Sequence, residues 1–543
     1  MDDELRRTSR EPFEGPGHYI PVDALHSIVT LDAIRQILPC VIKNGTPDSV
    51  DRMAQEILGR YRGEHEMPKS YRRIFAILVL IKKADSIVEF VKEEVTDAQL
   101  PLRKVGTGRP VQLSYSNNEE SIRLFQEWKD YDIEMFENKQ WETLAPFFSM
   151  GINEDNLVRL YQLSWRHPLP FEIIPEGTDT SKREERPTNI GSPRSDFFQG
   201  PFHSMKGGHG KVWKVRICQG QHSLPSYRVR DPPTYLLFGF NTVQNQGNEE
   251  NPALAIKRLL AADRKTFQNE VNILTQLNKC NDPHLVKLLL AIEILGQPGH
   301  NSSFFLVFPF ADSNLRQFWE RNFPHPEGTN TATYAPWVAK QLYGLAWALC
   351  KLHHQHQREV HSLKYEDDDR INNTGDTLYG IHGDIKPENF LWYKEWAGPN
   401  GAQAAQDSAA LEGSPRGQES KGSFGILQLS DFGNSKLHHA ETGSSHNMRR
   451  STKSYAAPEV EWTGNGDSRA FDIWGLGCVF LEFICWLVQG GSGTTNPVEV
   501  FHHARYLQRT NRSLEGTIQD TFYHVVKGKD TTKFELNPAV KKV

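Results

Sequence analysis

A chain of 543 residues with 38% hydrophobic and 10% aromatic content can build sizeable cores, roughly three or four domains or two larger ones. Its formal net charge of −5 carries no basic excess, which argues against a nucleic-acid partner. The six cysteines, from Cys40 to Cys485, are scattered without a C-x-x-C pair, which fits reduced thiols better than a disulfide framework or a zinc site.

Residues 1–17 are charged and contain Gly and Pro, so they predict a flexible N-terminus, and the first thirty residues lack the apolar run of a secretory signal. Residues 18–174 predict an all-helical domain. Ile28, Leu31, Ile34 and Leu38 recur at helical spacing, as do Ile74, Leu78 and Ile81, with Pro39, Pro47, Pro68, Pro101 and Pro110 as punctuation. Its aromatics, among them Trp128, Trp141 and Trp165, read as core packing before they read as a binding surface. Residues 175–200 have the Pro, Ser, Thr and charged composition of a linker. Strands are predicted over Lys211–Ile217, Tyr235–Phe240, Ala253–Leu259, Leu285–Ile294 and Ser303–Phe310, with a helix over 262–279. A further helix is predicted over Trp337–His354, and 355–379 and 397–423 read as polar insertions. Phe471–Val488 is the most apolar run, but Asp472 and Glu482 make it a buried core helix rather than a membrane span. These features together predict a cytoplasmic protein without membrane contact, with nuclear entry left open.

Chemistry concentrates in Gly380–Trp392, GIHGDIKPENFLW, where Asp384, Lys386 and Asn389 share one polar loop. A carboxylate, an ammonium and a carboxamide around one centre are the set that phosphoryl transfer needs: a base, a cation and a hard oxygen ligand for Mg²⁺. Upstream, the turn MKGGHGKV holds Gly207, Gly208 and Gly210, glycines that let backbone amides approach phosphate oxygens. Alone, such a turn is as easily a plain hairpin. Lys257 lies on a strand, where a lone lysine is usually a snorkelling surface residue, but Glu270 on the next helix offers it a carboxylate. Downstream, Asp431-Phe432-Gly433 pairs a candidate Mg²⁺ ligand with a packing aromatic.

The order of these motifs, continued by Ala457-Pro458-Glu459 and the run Asp472-Ile-Trp-Gly-Leu-Gly477, resembles the eukaryotic protein kinase domain over about 201–543. The resemblance implies an α+β, bilobal fold with a β-rich N-lobe over about 201–311 and a helical C-lobe over about 312–543, preceded by the all-α domain. It implies ATP and Mg²⁺ as cofactors and a protein substrate. Lys257, paired with Glu270, would contact the α- and β-phosphates. Asp384 would accept or orient the acceptor proton, and Lys386, in the form typical of the Ser/Thr branch, would touch the γ-phosphate. Asn389 and Asp431 would hold the metal. Val212, Ala255 and Leu391 would sandwich the adenine, with Phe308 as gatekeeper and Phe310 and Ala311 in the hinge. Leu274, His382 and Phe432 would stack as a spine, and Asp472 would anchor the loop.

The sequence departs from the family at Met205, which replaces the first glycine, and at Gly383, which replaces the arginine before the catalytic Asp. Without that arginine, phosphorylation near Ser451 and Thr452 is expected to be a weaker switch. Pro309 replaces an acidic hinge residue, and the shortened C-terminal end suggests an incomplete lobe in which Glu459 lacks its buried arginine. The leading expectation is a Ser/Thr protein kinase. The alternative is a pseudokinase or nucleotide-binding scaffold without turnover, and the N-terminal domain is a candidate partner-binding or autoregulatory element.

Overall fold

The computed structural model describes residues 1–41, 46–59, 69–106, 108–116, 120–149, 158–175, 210–223, 252–260, 263–322, 329–354, 378–394, 424–439, 453–463, 468–488, 496–507, 520–527 and 532–543. The N-terminal part is built from helices α1 (Asp2–Thr8), α2 (Val22–Ile28), α3 (Leu31–Val41), α4 (Pro47–Leu58), α5 (Arg72–Leu80), α6 (Ile87–Lys92) and α7 (Asp130–Lys139). Strands β1 (Arg103–Lys104) and β2 (Leu113–Ser114) form a small hairpin among them. Every residue of α5 from Ile74 to Leu80 is buried, and Leu38, Phe90 and Phe136 close the core around it.

The expected flexible N-terminus is instead docked. Leu5 of α1 is fully buried in the helical core, and Arg6 donates to the Leu80 carbonyl at 2.9 Å. Beyond α1 the chain crosses to the sheet, where Phe13 meets Phe171, Trp213 and Phe305 edge-on at 6.1, 5.3 and 6.2 Å. Composition points to a loose segment because charge dominates its count, but two apolar side chains are enough to fix it.

The boundary expected at residue 174 also shifts. Strands β3 (Arg159–Ser164) and β4 (Phe171–Ile173) leave the helical region and join β5 (Gly210–Ile217), β6 (Leu254–Leu259), β7 (Leu290–Leu295) and β8 (Ser303–Pro309) in one six-stranded sheet. The order is β3-β7-β8-β6-β5-β4, with β3 parallel to β7 and the other pairs antiparallel. The all-α reading therefore stops short of residue 159. Leu160, Tyr161 and Leu163 alternate between the faces of the sheet, a period that helical spacing of scattered apolar residues masks. The expected linker lies outside the described residues beyond Pro175, as does the expected strand Tyr235–Phe240.

Helix α8 (Arg264–Lys279) packs Phe267, Val271, Leu274 and Leu277 on the inner face of this sheet, capped by Asp263, whose side chain accepts from the Thr266 amide at 2.7 Å. The second lobe is mainly helical: β9 (Ser313–Asn314), α9 (Leu315–Arg321), α10 (Thr329–His353), α11 (Pro458–Thr463), α12 (Arg469–Val488) and α13 (Pro497–Leu507). Short strands β10 (Leu378–Ile381), β11 (Phe390–Tyr393), β12 (Ile426–Leu429) and β13 (Lys436–His439) frame its loops. By length and composition α12 could cross a membrane, yet 61% of its apolar window is buried inside the fold and Asp472 and Glu482 are fully buried in it. A hairpin, β14 (Tyr523–Lys527) and β15 (Thr532–Leu536), and α14 (Pro538–Lys541) close the lobe, with Phe522 and Ala539 in its core. This is a bilobal α+β architecture with a helical N-terminal region.

Candidate active site

The cleft chemistry starts at the sheet. Gly210 opens β5, and a Cβ there would stand 2.8 Å from the Arg258 carbonyl oxygen and 3.3 Å from Lys257 Cε, so only glycine lets the strand lie this close to the lysine. Register places Val212 opposite Lys257 and Ala255 opposite Phe308. Val212 is half exposed, while Phe308 and Leu391 pack on the main core from the two lobes. Phe310 and Ala311 follow β8 into the connection between lobes, and the Lys214 ammonium sits 4.6 Å from the Phe310 ring. Gly207, Gly208 and Met205 lie outside the described residues, as do Ser451 and Thr452.

Lys257 is far from a snorkelling surface lysine. Its Nζ donates to Glu270 Oε1 at 3.0 Å and to Asp431 Oδ1 at 2.7 Å. Burial pulls the ammonium pKa down, but Asp431 and Glu270 together outweigh it and hold the group above its ordinary value. The two carboxylates thus favour the charged form of the lysine between them. Asp431 itself sits at φ 62°, a left-handed conformation in a non-glycine residue, and this sets its carboxylate against Lys257.

Across the cleft, β10 and β11 bracket the polar loop. Lys386 Nζ donates to Asp384 Oδ2 at 2.6 Å. Asn389 Nδ2 donates to the Asp384 carbonyl at 2.7 Å and to its Oδ2 at 3.3 Å, which orients the carboxamide with its oxygen away from Asp384. The backbone of the loop is held from below. Asp472, fully buried on α12, accepts from the His382 amide at 2.7 Å, the Gly383 amide at 2.8 Å and His353 Nε2 at 2.9 Å. Gly383 has φ 79°, so glycine at this position also relieves the strain that a side chain would bring.

His382 is fully buried; its Nδ1 accepts from the Asp384 amide at 3.3 Å, so its Nε2 carries the proton and donates to the Ser430 carbonyl at 2.9 Å. The ring meets Phe432 edge-on at 5.1 Å, and Leu274 and Phe432 share one core. His353 escapes sequence reading altogether. It lies at the end of α10, 119 residues before Asp472, and no spacing rule connects the two.

The end of the lobe holds a buried arginine that the motifs did not assign. Arg505 on α13 is fully buried, donates to Glu482 Oε1 at 2.8 Å and to Asp520 Oδ2 at 3.3 Å, and lies over the rings of Phe501 and Phe522 at 4.4 and 4.0 Å. Glu482 also accepts from the Tyr455 hydroxyl at 2.8 Å, Arg316 donates to that hydroxyl at 2.6 Å, and Arg316 Nε reaches Glu388 at 3.1 Å. A buried arginine is thus present, and it serves the α12 carboxylate. Glu459, expected to lack a partner, has interactions of its own.

The arrangement offers a fixed ammonium, a loop carboxylate with an adjacent ammonium, and a carboxamide and carboxylate able to present oxygens to a divalent cation. Residues 378–519 match the family model described as protein kinase domain. The matched stretch begins at β10 and includes the polar loop, Asp431, the Tyr455 segment, α12 and α13.

Proposed function

We propose, from the premise that this chain carries a eukaryotic protein kinase domain, that it is a serine/threonine kinase moving the γ-phosphate of ATP to a protein hydroxyl. The observation that carries this reading is the hold on Asp384: a buried carboxylate fixed by Lys386 and Asn389 on a loop pinned to Asp472. In the transfer the acceptor hydroxyl oxygen bonds to the γ-phosphorus, its proton passes toward Asp384, and the bond to the ADP oxygen breaks. Lys386, within 2.6 Å of that carboxylate, would offset charge on the moving phosphoryl group, and serine and threonine are the acceptors we infer because the Asp384-x-Lys386 form resembles the Ser/Thr branch of the family. Lys257, held by Glu270, would orient the α- and β-phosphates.

The donor set fits Mg²⁺, a hard cation that takes carboxylate and carboxamide oxygens. Asn389 directs its amide nitrogen to Asp384 and so can offer its oxygen, and Asp431 supplies the carboxylate. When bound, the ion neutralises phosphate charge. Val212, Ala255 and Leu391 would enclose the adenine. We place the activity in the cytoplasm, on the reduced-thiol cysteine pattern.

The test is radiolabelled phosphate transfer from Mg-ATP to a generic basic protein, with the acid-stable phosphoamino acids identified. Asp384→Asn keeps the side-chain shape and should lower kcat by at least about a hundred-fold. Transfer that survives in this variant, or label found on tyrosine alone, would refute the assignment. Nucleotide-dependent stabilisation with no transfer in the wild type would make the protein a nucleotide-binding scaffold.

A further inference from the structure

Strand β3 has an unusual position: it comes from the N-terminal region and adds a parallel edge to β7, with Gln162 opposite Glu293. Val158 and Leu160 of this segment pack on the core that holds α8, and Gln162 shares their face of the strand. Glu293 lies on the same side of the sheet as Ala291, and its residue is 1% exposed. The two oxygens of its carboxylate face different elements. Oε2 accepts from Gln162 Nε2 at 2.9 Å, and Oε1 pairs with Arg264 Nε at 3.2 Å.

Arg264 is the first residue of α8, and Glu270 follows it less than two turns later, about 9 Å along the axis. The far end of the helix is tied separately, through Asn278 to the backbone of Leu288 at 2.7 and 3.2 Å. The middle carries Phe267, stacked on Phe304 at 4.7 Å, and Glu270 on Lys257 at 3.0 Å. A helix fixed at its C-terminal end can swing at its N-terminal end, and a swing there displaces Glu270 most directly through the first two turns.

We propose that Glu293 is a positioning residue for phosphoryl transfer: it joins the N-terminal strand β3 to the first turn of α8 and so holds Glu270 against Lys257. The N-terminal region is then part of the catalytic lobe and biases its helix toward the paired state without any second chain. The effect on transfer rests on the kinase reading above; the mechanical tie does not.

The test uses the full chain with Arg264→Ala, Arg264→Lys and Gln162→Ala. Arg264 is half exposed, so its removal leaves the core intact. Hydrogen exchange over residues 264–272 should rise in Arg264→Ala and in Gln162→Ala and return toward wild type in Arg264→Lys. In the same series kcat/KM for ATP should fall about five-fold in Arg264→Ala, the scale of a half-exposed ion pair. That loss should vanish when Glu270→Gln is already present, because both changes then act through one contact.

Unchanged exchange in Arg264→Ala would overturn the tie. Unchanged exchange in Gln162→Ala would remove β3 from it and overturn the proposal as stated. Raised exchange with unchanged kcat/KM, or a loss that persists in the Glu270→Gln background, would overturn the positioning role. A wild type that transfers no phosphate, yet shows the exchange pattern, would sink the kinase reading while leaving the tie supported.

Discussion

Asp472→Asn is the sharpest probe of how the Asp384 loop is held. The carboxylate is fully buried and accepts three hydrogen bonds, from the His382 and Gly383 amides and from His353 Nε2, at 2.7, 2.8 and 2.9 Å. An asparagine can keep its oxygen where Oδ2 stands and retain the His382 and His353 bonds. Its NH₂ then faces the Gly383 N–H, donor against donor. Loss of one charge-assisted bond, together with a buried unpaired amide, costs about 3 kcal/mol. The loss falls on the residue next to Asp384, so kcat should drop at least about ten-fold while KM for ATP stays within about two-fold, since Lys257 and Glu270 are untouched. Urea unfolding followed by tryptophan fluorescence, alongside phosphate transfer, reads both effects. A variant with the wild-type midpoint and wild-type kcat would refute the argument that Asp472 holds the loop. So would a variant in which KM for ATP changes and kcat does not.

Arg505→Met leaves Glu482 and Asp520 without their buried cation and should destabilise the C-terminal lobe by about 3–5 kcal/mol; a stability loss under about 1 kcal/mol would show that the pair is dispensable. Asp520 gives a pH signature. Burial alone would raise it, but His502, Ser454 and Arg505 hold it at about 2, below the model-peptide value of 3.8. A depressed folded-state pKa stabilises above pH about 4, and that contribution, about 2 kcal/mol, disappears as pH falls through about 2. Asp520→Asn should therefore flatten the acid limb of the unfolding profile between these values, and an unaltered limb would assign it to other carboxylates. Phe13→Ala removes the aromatic that meets Phe171, Trp213 and Phe305 and should cost about 2 kcal/mol; melting indistinguishable from wild type would mean that the N-terminal strap adds nothing to the sheet.

Much of the candidate site is legible in the sequence because each motif is local. Asp384, Lys386 and Asn389 lie on one loop, and their contacts at 2.6 and 2.7 Å follow from a chain too short to separate them. Helix α8 is legible from Phe267, Val271, Leu274 and Leu277, since one apolar stripe needs one partner surface. The helices of the N-terminal region and the core role of Phe471–Val488 follow from periodicity and from the two acidic residues within it.

What spacing cannot give is the choice of distant partner. His353 and Asp472 are 119 residues apart, and Gln162 and Glu293 are 131 apart. Their pairing depends on which strand borders which, and on which buried carboxylate needs a donor. Arg505 shows the same limit: the carboxylate it serves is set by the packing of α12 against α13 and the closing hairpin. The sequence by itself determined which polar side chains meet on the Asp384 loop, because Asp384, Lys386 and Asn389 lie within six positions of one another. Tertiary structure alone decided that Phe13 packs on the sheet and that strands β3 and β4 join it, because burying Phe13, Leu160 and Leu163 depends on surfaces formed by strands more than a hundred residues downstream, a range at which no local pattern operates.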